Sequence, residues 1–296
     1  ILMLYRKGSF RRFLVFLFFG LPLSIFLTSC GESSDTRDSD GDGVLNVNDD
    51  FPLDSQYQTR HPNLVRGPYL QLATSDAISI RWRTVSSTNS IVWYGLDPEN
   101  LDLLATSELS TTEHKISLTD LSENTRYYYK IGSSAEVIAD DVSPFFFETS
   151  PIQGEAQPTR MWIVGDSGTA TTGQMDVYSA YRDVSGESYT DMFIMLGDNA
   201  YPDGTDQEYQ RAVFDMYSGI LSSSPLWSTI GNHDGRSADS TSEAGPYYDI
   251  FSLPRMGEAG GLASGTEAYY SFDHGNTHFI VLDSFESDRS TNGAMM

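Results

Sequence analysis

The residues with the clearest capacity for chemistry are three polar side chains in the second half of the chain. Asp166, Asp198 and Asn232 each stand directly after a glycine, at separations of 32 and 34 residues. Two carboxylates and an amide oxygen are hard ligands of the kind that divalent and trivalent metal ions take. Tyr201, three residues after Asp198, adds a phenol whose ionised form suits Fe³⁺. These four side chains predict a metal site.

Each of the three glycines closes a short apolar run, which predicts a strand that ends where the polar residue begins. The runs cover residues 161–164, 192–196 and 226–230. Apolar residues recur at helical spacing over 209–220 and less regularly over 175–181, which predicts helices between the strands. Strands that alternate with helices form largely parallel α/β sheets, and such sheets bind ligands beyond the carboxyl ends of their strands. The three polar side chains are therefore expected to converge.

Two further apolar segments, 269–272 and 279–282, predict a hairpin added to this sheet, with its turn at residues 273–276. His274 and His278 lie in or beside that hairpin. We interpret both as strand residues and not as metal ligands, because an apolar strand pattern follows His278 directly.

The preceding segment, residues 62–150, has a different pattern, in which runs of strand-forming residues are separated by Gly, Asn, Asp and Ser. Apolar and polar residues alternate over 78–83, as is typical of a half-buried strand. Further runs cover 91–94, 115–118, 127–131 and 145–147. Strands at this spacing without helices between them predict an antiparallel β-sandwich. Leu121, Thr125 and Tyr127 resemble the tyrosine-corner segment of fibronectin type III domains. Residues 151–158 are predicted to be a linker.

Residues 1–30 are predicted to be a secretory signal. Four basic residues precede an apolar run over 13–27, and small residues then lead to Cys30, the only cysteine, so no internal disulfide is possible. The apolar run is short for a membrane-spanning helix, and the segment around Cys30 resembles the lipobox of bacterial lipoproteins. This predicts a lipid anchor in a membrane of the cell envelope, at the periplasmic face or the cell surface. The alternative, a single-pass anchor, also places the rest of the chain outside the cytoplasm.

Residues 31–61 are polar and acidic without apolar periodicity, which predicts a tether between the anchor and the folded body. One stretch of this tether carries oxygen ligands at loop positions 1, 3, 5, 9 and 12 and glycine at position 6, as Ca²⁺ coordination requires. The stretch resembles the calcium repeats of the thrombospondin type 3 class, and a solvated acidic linker is the alternative. Its candidate ligands are Asp38, Asp40, Asp42, Asn46 and Asp49.

The formal net charge of -23 at pH 7 argues strongly against nucleic acid as a partner, because such a surface repels a polyanion. The same charge opposes an anionic substrate unless bound cations reverse the field locally. An anionic substrate would therefore also require a metal site.

Four segments together resemble the purple acid phosphatases, which are metallophosphoesterases with a fibronectin III-like N-terminal domain and a calcineurin-like catalytic domain. The segments are RGPYLQ (66–71), GDSG (165–168), GDNAY (197–201) and GNHD (231–234), and residues 269–284 resemble the family's next strand pair. The resemblance implies a multidomain fold in which residues 62–150 are the β-sandwich. Residues 159–296 would then be an α/β metallophosphoesterase sandwich that is incomplete at its C-terminus.

The segment GDSG also surrounds the nucleophile of chymotrypsin-like proteases, which would make Ser167 a nucleophile, but that fold is all-β.

The resemblance also implies roles for individual residues. Asp166 and Tyr201 would bind a first metal. Asp198 would bridge it to a second metal, which Asn232 would bind. This dinuclear centre would hold Fe³⁺ with Zn²⁺, Fe²⁺ or Mn²⁺, clamp a small phosphate ester and create a hydroxide nucleophile from bound water. His233 would contact the phosphate and protonate the leaving alcohol.

The family has two further motifs that supply three histidine ligands, and neither is present in these 296 residues. We therefore expect that the sequence is truncated, that the chain alone binds two metals poorly, and that its full-length parent hydrolyses phosphomonoesters. A phosphodiesterase or nucleotidase on the same scaffold is one alternative. A noncatalytic calcium-binding surface lipoprotein is another, with the acidic tether and the sandwich as its working parts.

Overall fold

The first strand of the computed structural model, β1 (Leu2–Arg6), pairs antiparallel with a strand near the other end of the chain. Besides the backbone of β1, the structure describes residues 37–38, 43–45, 48, 60–139, 145–186 and 188–295. Most of the predicted signal and of the predicted calcium stretch lies outside the described residues, so both stay predictions. No helix in the described ranges is long and apolar enough to cross a membrane.

Six strands of the first half pair antiparallel in one sheet. They are β2 (Leu64–Gln71), β3 (Ile78–Gly95), β4 (Leu103–Leu118), β5 (Arg126–Gly132), β6 (Val137–Ala139) and β7 (Phe145–Glu148). Strand β3 pairs with β2, β4 and β5, while β6 and β7 both pair with β5. The strands predicted at 78–83 and 91–94 are thus two ends of one 18-residue strand. The pairing of β3 with β4 shifts register between Arg83 and Thr88, where the polar residues interrupt the apolar pattern.

The segment that resembles a tyrosine corner contains a hydrogen bond from the backbone to the tyrosine hydroxyl. The backbone N–H of Ser122 donates to the hydroxyl of Tyr127 at 2.9 Å, and the ring of Tyr127 stacks on Phe147 with centroids 5.6 Å apart. This contact anchors the turn before β5 to the core of the sheet. The assignment of the whole segment to a fibronectin III-like fold stays a prediction.

The second half contains the three parallel strands that the sequence predicts. Strands β8 (Met161–Val164), β9 (Met192–Met195) and β10 (Leu226–Ser228) lie in the order β10-β9-β8. Helix α1 (Thr172–Ser185) connects β8 to β9, which confirms and extends the helix predicted at 175–181. All four residues of β9 are buried, as expected for a central strand of a sheet that is covered on both faces.

The single helix predicted between β9 and β10 is divided into three consecutive pieces. They are α2 (Asp206–Tyr209), a π-helix (Gln210–Asp215) and α3 (Ser218–Leu221). Helix α2 begins with a capping box, in which the Thr205 hydroxyl accepts from the Glu208 N–H and the Glu208 carboxylate accepts from the Thr205 N–H. π-Helical turns are rare and recur at functional sites. The last helix of the structure is α4 (Pro246–Ile250).

The predicted hairpin is present as β11 (Tyr270–His274) and β12 (Thr277–Val281), but it does not extend the parallel sheet. Instead, β1, β12 and β11 form a second sheet. The two sheets pack face to face, with the Trp227 and Phe272 rings stacked at 3.7 Å between centroids. The hydroxyl of Tyr270 donates to the Ser228 carbonyl at 2.7 Å. Packing on the sheet face buries these large aromatic rings, which pairing at an edge would leave exposed.

The two halves of the chain meet in a buried interface, which changes the environment of β3. Residues 78–83 were expected to be buried on one face only, yet Ser79 and Arg81 are buried as well. The Arg81 guanidinium donates to the Asp249 carbonyl at 2.7 Å and to the Ser252 hydroxyl at 3.2 Å. The second half therefore covers the polar face of this strand and satisfies it with hydrogen bonds.

Candidate metal centre

The loops that follow β8 and β9 are joined to each other by backbone hydrogen bonds. The N–H of Asp166 donates to the Gly197 carbonyl at 3.1 Å, and the N–H of Gly168 donates to the Asp198 carbonyl at 3.2 Å. The N–H of Tyr201 then returns to the Gly168 carbonyl at 2.8 Å. These three bonds fix the relative position of the loops, so the side chains that they carry are held together by the backbone.

Both aspartates adopt the left-handed backbone conformation, with φ of 54° at Asp166 and 53° at Asp198. This region is sparsely populated by residues other than glycine, and strained residues of this kind cluster at functional sites. A glycine would adopt the same conformation without the steric penalty. The carboxylates at these two positions therefore point to a function and not to a requirement of the turn.

Three of the predicted metal ligands converge through the hydroxyl of Tyr201. This hydroxyl donates to Asp198 Oδ2 at 2.9 Å and lies 3.2 Å from Asp166 Oδ1. Asp198 is buried, and its other oxygen accepts the backbone N–H of His233 at 3.0 Å. Asn232 lies directly before His233 on the third loop, and its side chain is exposed. The structure thus brings one phenol and two carboxylates to a single point, and it ties the backbone next to Asn232 to one of these carboxylates.

The environment of Tyr201 is suited to a cation. Burial, and then the hydrogen bond and charge of Asp198 and the charge of Asp166, raise the pKa of the Tyr201 hydroxyl well above its ordinary value. A phenolate would therefore form here only if a bound cation offset the two carboxylates. The oxygen donors are of the hard type that Fe³⁺ and divalent metals accept. Asp166, Asp198 and Tyr201 therefore fit the role of oxygen ligands in a metal centre.

The described residues do not include a cluster of histidines that could add nitrogen ligands to these oxygen donors. Among those residues, no group of three or more His, Cys, Asp or Glu side chains is arranged to hold a metal ion. His274 is buried in β11, and its Nε2 has no hydrogen-bond partner in the described part of the chain. His278 pairs through Nδ1 with Asp273 Oδ1 at 2.7 Å. Both histidines are strand residues, as their sequence context predicts.

His233 is oriented by the loop that carries Tyr201. Its Nδ1 lies 2.5 Å from the carbonyl oxygen of Pro202, and because a carbonyl only accepts, this nitrogen carries a proton. The imidazole ring lies beside the Tyr201 ring, with centroids 4.4 Å apart. The Pro202 carbonyl also accepts from Arg236 at 3.0 Å. The hydrogen bond at Nδ1 leaves Nε2 as the nitrogen available to a ligand.

Sequence reasoning missed the residue that joins the second and third loops. Asp234 is completely buried, and its carboxylate accepts the Asn199 N–H at 3.1 Å, the Asn199 side-chain amide at 3.1 Å and the Gly231 N–H at 2.8 Å. The Tyr209 hydroxyl donates to the same carboxylate at 2.5 Å. The signal was available, because Asp234 closes the GNHD segment, but nothing local indicates that it is buried.

Burial raises the pKa of Asp234 to about 6, although hydrogen bonds from Tyr209, Gly231 and Asn199 act in the opposite direction. Burial and the charge of Asp234 raise the pKa of the Tyr209 hydroxyl well above its ordinary value. Tyr209 therefore remains a hydrogen-bond donor throughout the ordinary pH range. The hydrogen bonds described for the Asp234 carboxylate all come from N–H or O–H groups, which is the arrangement that the ionised form requires.

The other sequence predictions are addressed only in part. The carboxylate of Asp38 accepts the Gly43 N–H at 3.0 Å, whereas Asp40, Asp42, Asn46 and Asp49 lie outside the described residues, so the calcium site stays a prediction. The protease-like interpretation has no support, because none of the described hydrogen bonds links Ser167 to a histidine and the GDSG segment closes a parallel strand.

Comparisons with known proteins agree with the resemblance seen in the motifs. Residues 65–149 match the family model of the purple acid phosphatase N-terminal domain. The chain is 26% identical to purple acid phosphatase 23 of Arabidopsis thaliana, with 83% of this chain and 60% of that protein covered. It is 25% identical to a phosphoenolpyruvate phosphatase of Allium cepa, with 90% of this chain and 55% of that protein covered.

Among solved structures, that of PhoD has a similar fold, with a TM-score of 0.55 at 17% identity. The similarity covers 78% of this chain and 54% of PhoD. In the sequence comparisons, the chain spans only 55–60% of the length of the two curated relatives named above.

Proposed function

We propose that this chain, which is purple acid phosphatase-like with that family's N-terminal domain at residues 65–149, belongs to a metal-dependent phosphomonoesterase. The observation that carries the proposal is the convergence of the Tyr201 hydroxyl on the carboxylates of Asp198 and Asp166, at 2.9 and 3.2 Å. Both carboxylates stand in left-handed backbone conformations that fold stability does not require. The names of the relatives support the same activity.

In the proposed centre, Asp166 and Tyr201 would hold the first metal, Asp198 would be shared by the two metals, and Asn232 would bind the second. When bound, Fe³⁺ with Zn²⁺, Fe²⁺ or Mn²⁺ would supply Lewis-acid charge for the phosphate and lower the pKa of water. The hydrogen bond from the His233 N–H to Asp198 Oδ1, together with the Tyr201 hydroxyl at Oδ2, would keep the Asp198 carboxylate in a fixed orientation for this role.

His233 is proposed to contact the phosphate and to donate a proton to the leaving alcohol. Its Nδ1–H is engaged by the Pro202 carbonyl, so the ring is fixed and Nε2 is the atom directed to a ligand. A protonated Nε2 would transfer its proton to the departing oxygen, and the hydrogen bond at Nδ1 would hold the ring in place during the transfer.

The proposed substrate is a small phosphate monoester. With a net charge of -23 on the chain, an anionic substrate requires the metals to make the local field positive. Because one relative is named a phosphoenolpyruvate phosphatase, phosphoenolpyruvate is a reasonable substrate to include in an assay. A phosphodiesterase or nucleotidase is the alternative, and a comparison of mono- and diesters distinguishes them.

The test is an assay of the intact gene product loaded with Fe³⁺ and Zn²⁺, using p-nitrophenyl phosphate and bis(p-nitrophenyl) phosphate at pH 5. Asp198→Asn is expected to lower monoester turnover by about 10²-fold or more, because residues outside the ligand shell already cost 10–100-fold when altered. Asp102→Asn, an exposed carboxylate of the first half, is the matched control and should retain wild-type turnover. Turnover that is unaffected by Asp198→Asn, or no hydrolysis of either ester, would overturn the proposal.

The location of the protein is proposed from the sequence alone. Cys30 would carry a lipid anchor and residues 31–61 would tether the folded body to the outer side of a membrane. Labelling of bacterial cells with a fatty acid should mark the protein, and Cys30→Ser should abolish the label. Retention of the label in Cys30→Ser would show that the cysteine is not the site of attachment.

A further inference from the structure

The segment between the ligand loop and the π-helix returns to the ligand loops after one helical turn. It leaves the loop at Tyr201, enters α2 through the cap at Thr205, and brings Tyr209 back to Asp234. The Asp234 carboxylate in turn holds the N–H groups of Asn199 and Gly231. Asn199 follows Asp198 and Gly231 precedes Asn232, so one carboxylate fixes the backbone beside two proposed ligands.

The helix that carries Tyr209 is itself anchored to the first half of the chain. Arg66 is completely buried, and its guanidinium donates to Asp206 Oδ1 at 3.0 Å and to Gln210 Oε1 at 2.9 Å. Arg83 donates to both oxygens of the same Asp206 carboxylate, at 2.6 and 2.9 Å. Arg66 also lies over the Phe214 ring at 4.3 Å. Two arginines of the first half therefore clamp the first turn of the segment that delivers Tyr209.

We propose that Tyr209 and Asp234 are a positioning pair, which holds the loop of Asp198 and the loop of Asn232 in fixed relation. Neither residue is a proposed ligand or a catalytic group. The expected effect of the pair on metal affinity rests on the proposed function. The expected effect on the loop backbone does not, because it concerns the metal-free chain. Through Arg66 and Asp206, the first half of the chain supports the same loops.

The physical basis is the number of buried donors that depend on one acceptor. If the carboxylate of Asp234 moves, the N–H groups of Asn199 and Gly231 lose their partner inside the protein, and each such loss is unfavourable. Removal of only the Tyr209 hydroxyl keeps the ring in the core and removes one of the donors that fix the carboxylate. The loops should then open locally more often, while the remainder of the fold persists.

The chain offers a matched pair of variants for the test. Tyr209→Phe removes a buried hydroxyl that donates to Asp234 at 2.5 Å. Tyr270→Phe removes another buried hydroxyl, which donates to the Ser228 carbonyl at 2.7 Å, and that carbonyl keeps the Tyr247 hydroxyl as a second donor. Both variants lose one hydrogen bond in the same half of the chain, but only Tyr209→Phe alters the proposed pair.

The first measurement is amide hydrogen exchange on the metal-free chain. In Tyr209→Phe, protection of the Asn199 and Gly231 amides is expected to fall about tenfold or more, since a hydrogen bond to a charged acceptor is lost. In Tyr270→Phe it should stay within about twofold of wild type. Equal protection of the two amides in Tyr209→Phe and in wild type, or an equal loss in both variants, would overturn the proposal.

The second measurement is titration of the intact gene product with Fe³⁺ alone, followed by the visible absorption band that is expected of a Tyr201–Fe³⁺ contact. Tyr209→Phe is expected to weaken Fe³⁺ binding by about 10- to 100-fold, and Tyr270→Phe to leave it unchanged. Binding that is equally tight in wild type and Tyr209→Phe would contradict the proposal. If wild type itself binds no Fe³⁺, the proposed metal site fails, and the exchange measurement alone decides the role of the pair.

Discussion

Gly231 is the position at which one added methyl group should disable the centre. A Cβ placed on Gly231 would lie 2.2 Å from the backbone nitrogen of Asp198 and 2.3 Å from Asp198 Oδ1. Real Cβ atoms essentially never approach within 3.0 Å, so Gly231→Ala requires movement. The atoms in the way belong to the backbone and to a buried carboxylate, neither of which moves as freely as the end of a flexible side chain.

The size of the effect follows from these distances. The third loop and Asp198 must separate by about 0.8 Å, the difference between the 3.0 Å limit and the 2.2 Å contact. Overpacking of this kind destabilises a fold by about 1–3 kcal/mol. A displacement of about 1 Å in a reacting geometry costs about 10²-fold in rate. Gly231→Ala is therefore expected to be folded and destabilised, with turnover reduced by about two orders of magnitude.

Urea unfolding of the chain gives the stability, and p-nitrophenyl phosphate hydrolysis by the metal-loaded gene product gives the turnover. Gly173→Ala in α1 is the control, because its nearest contact would be an ordinary 3.7 Å from the Thr171 hydroxyl. That variant should gain up to about 1 kcal/mol, since alanine favours a helix more than glycine does. Wild-type stability together with wild-type turnover in Gly231→Ala would refute the close approach of the two loops.

The remaining predictions concern the interface, pH and calcium. Asp206→Ala should destabilise the chain by about 2 kcal/mol in urea unfolding, because the buried guanidinium of Arg66 loses a charged acceptor, although the Asp206 carboxylate is itself half-exposed. Asp203→Ala, which removes an exposed carboxylate paired with Arg236, should cost less than about 1 kcal/mol. Equal effects of the two substitutions would contradict a stabilising role for the contact between Asp206 and the buried Arg66. Burial lowers the pKa of His114 from 6.5 to about 4. The contribution of neutral His114 to the free energy of unfolding is therefore fully present above pH 6.5, and about 3 kcal/mol of it is lost as the pH falls towards 4. In urea unfolding, His114→Gln should lack this component of the pH dependence. Calorimetry at millimolar Ca²⁺ should detect binding that Asp40→Ala removes, and no binding to the wild-type chain would exclude the calcium site.

The segments of this chain that could be read from the sequence are those whose signals are local. The strand, glycine and polar residue at each of Asp166, Asp198 and Asn232 are neighbours in the chain, and so is the helical spacing that predicts α1. Parallel strands with helices between them then require that these side chains lie at one edge of the sheet. The structure agrees, because Tyr201 contacts both carboxylates.

Other elements depended on partners far away in the sequence. The pattern over 78–83 predicts one buried face, but the second half of the chain covers the other face through Arg81. The hairpin forms a second sheet because Trp227 and Phe272 are buried by stacking face to face. Periodicity describes which residues of one element share a face, and it does not describe what is packed against that face.

The RGPYLQ segment shows the same limit. The amino-acid sequence of this segment identifies a family resemblance. Only the structure shows that Arg66 anchors the α2 segment by pairing with Asp206, 140 residues later in the chain. The role of Asp234 was equally hidden, because its partners Asn199 and Tyr209 lie 35 and 25 residues before it.

By itself, the sequence determined the identity of the proposed ligands, the strands that present them and the hard-oxygen chemistry that they offer. The tertiary structure decided how these ligands are held, through the buried carboxylate of Asp234, the hydroxyl of Tyr209 and the arginines of the first half. The physical reason is that strand and helix signals arise between neighbouring residues. The burial of a charge and the partners that satisfy it arise only when distant segments pack together.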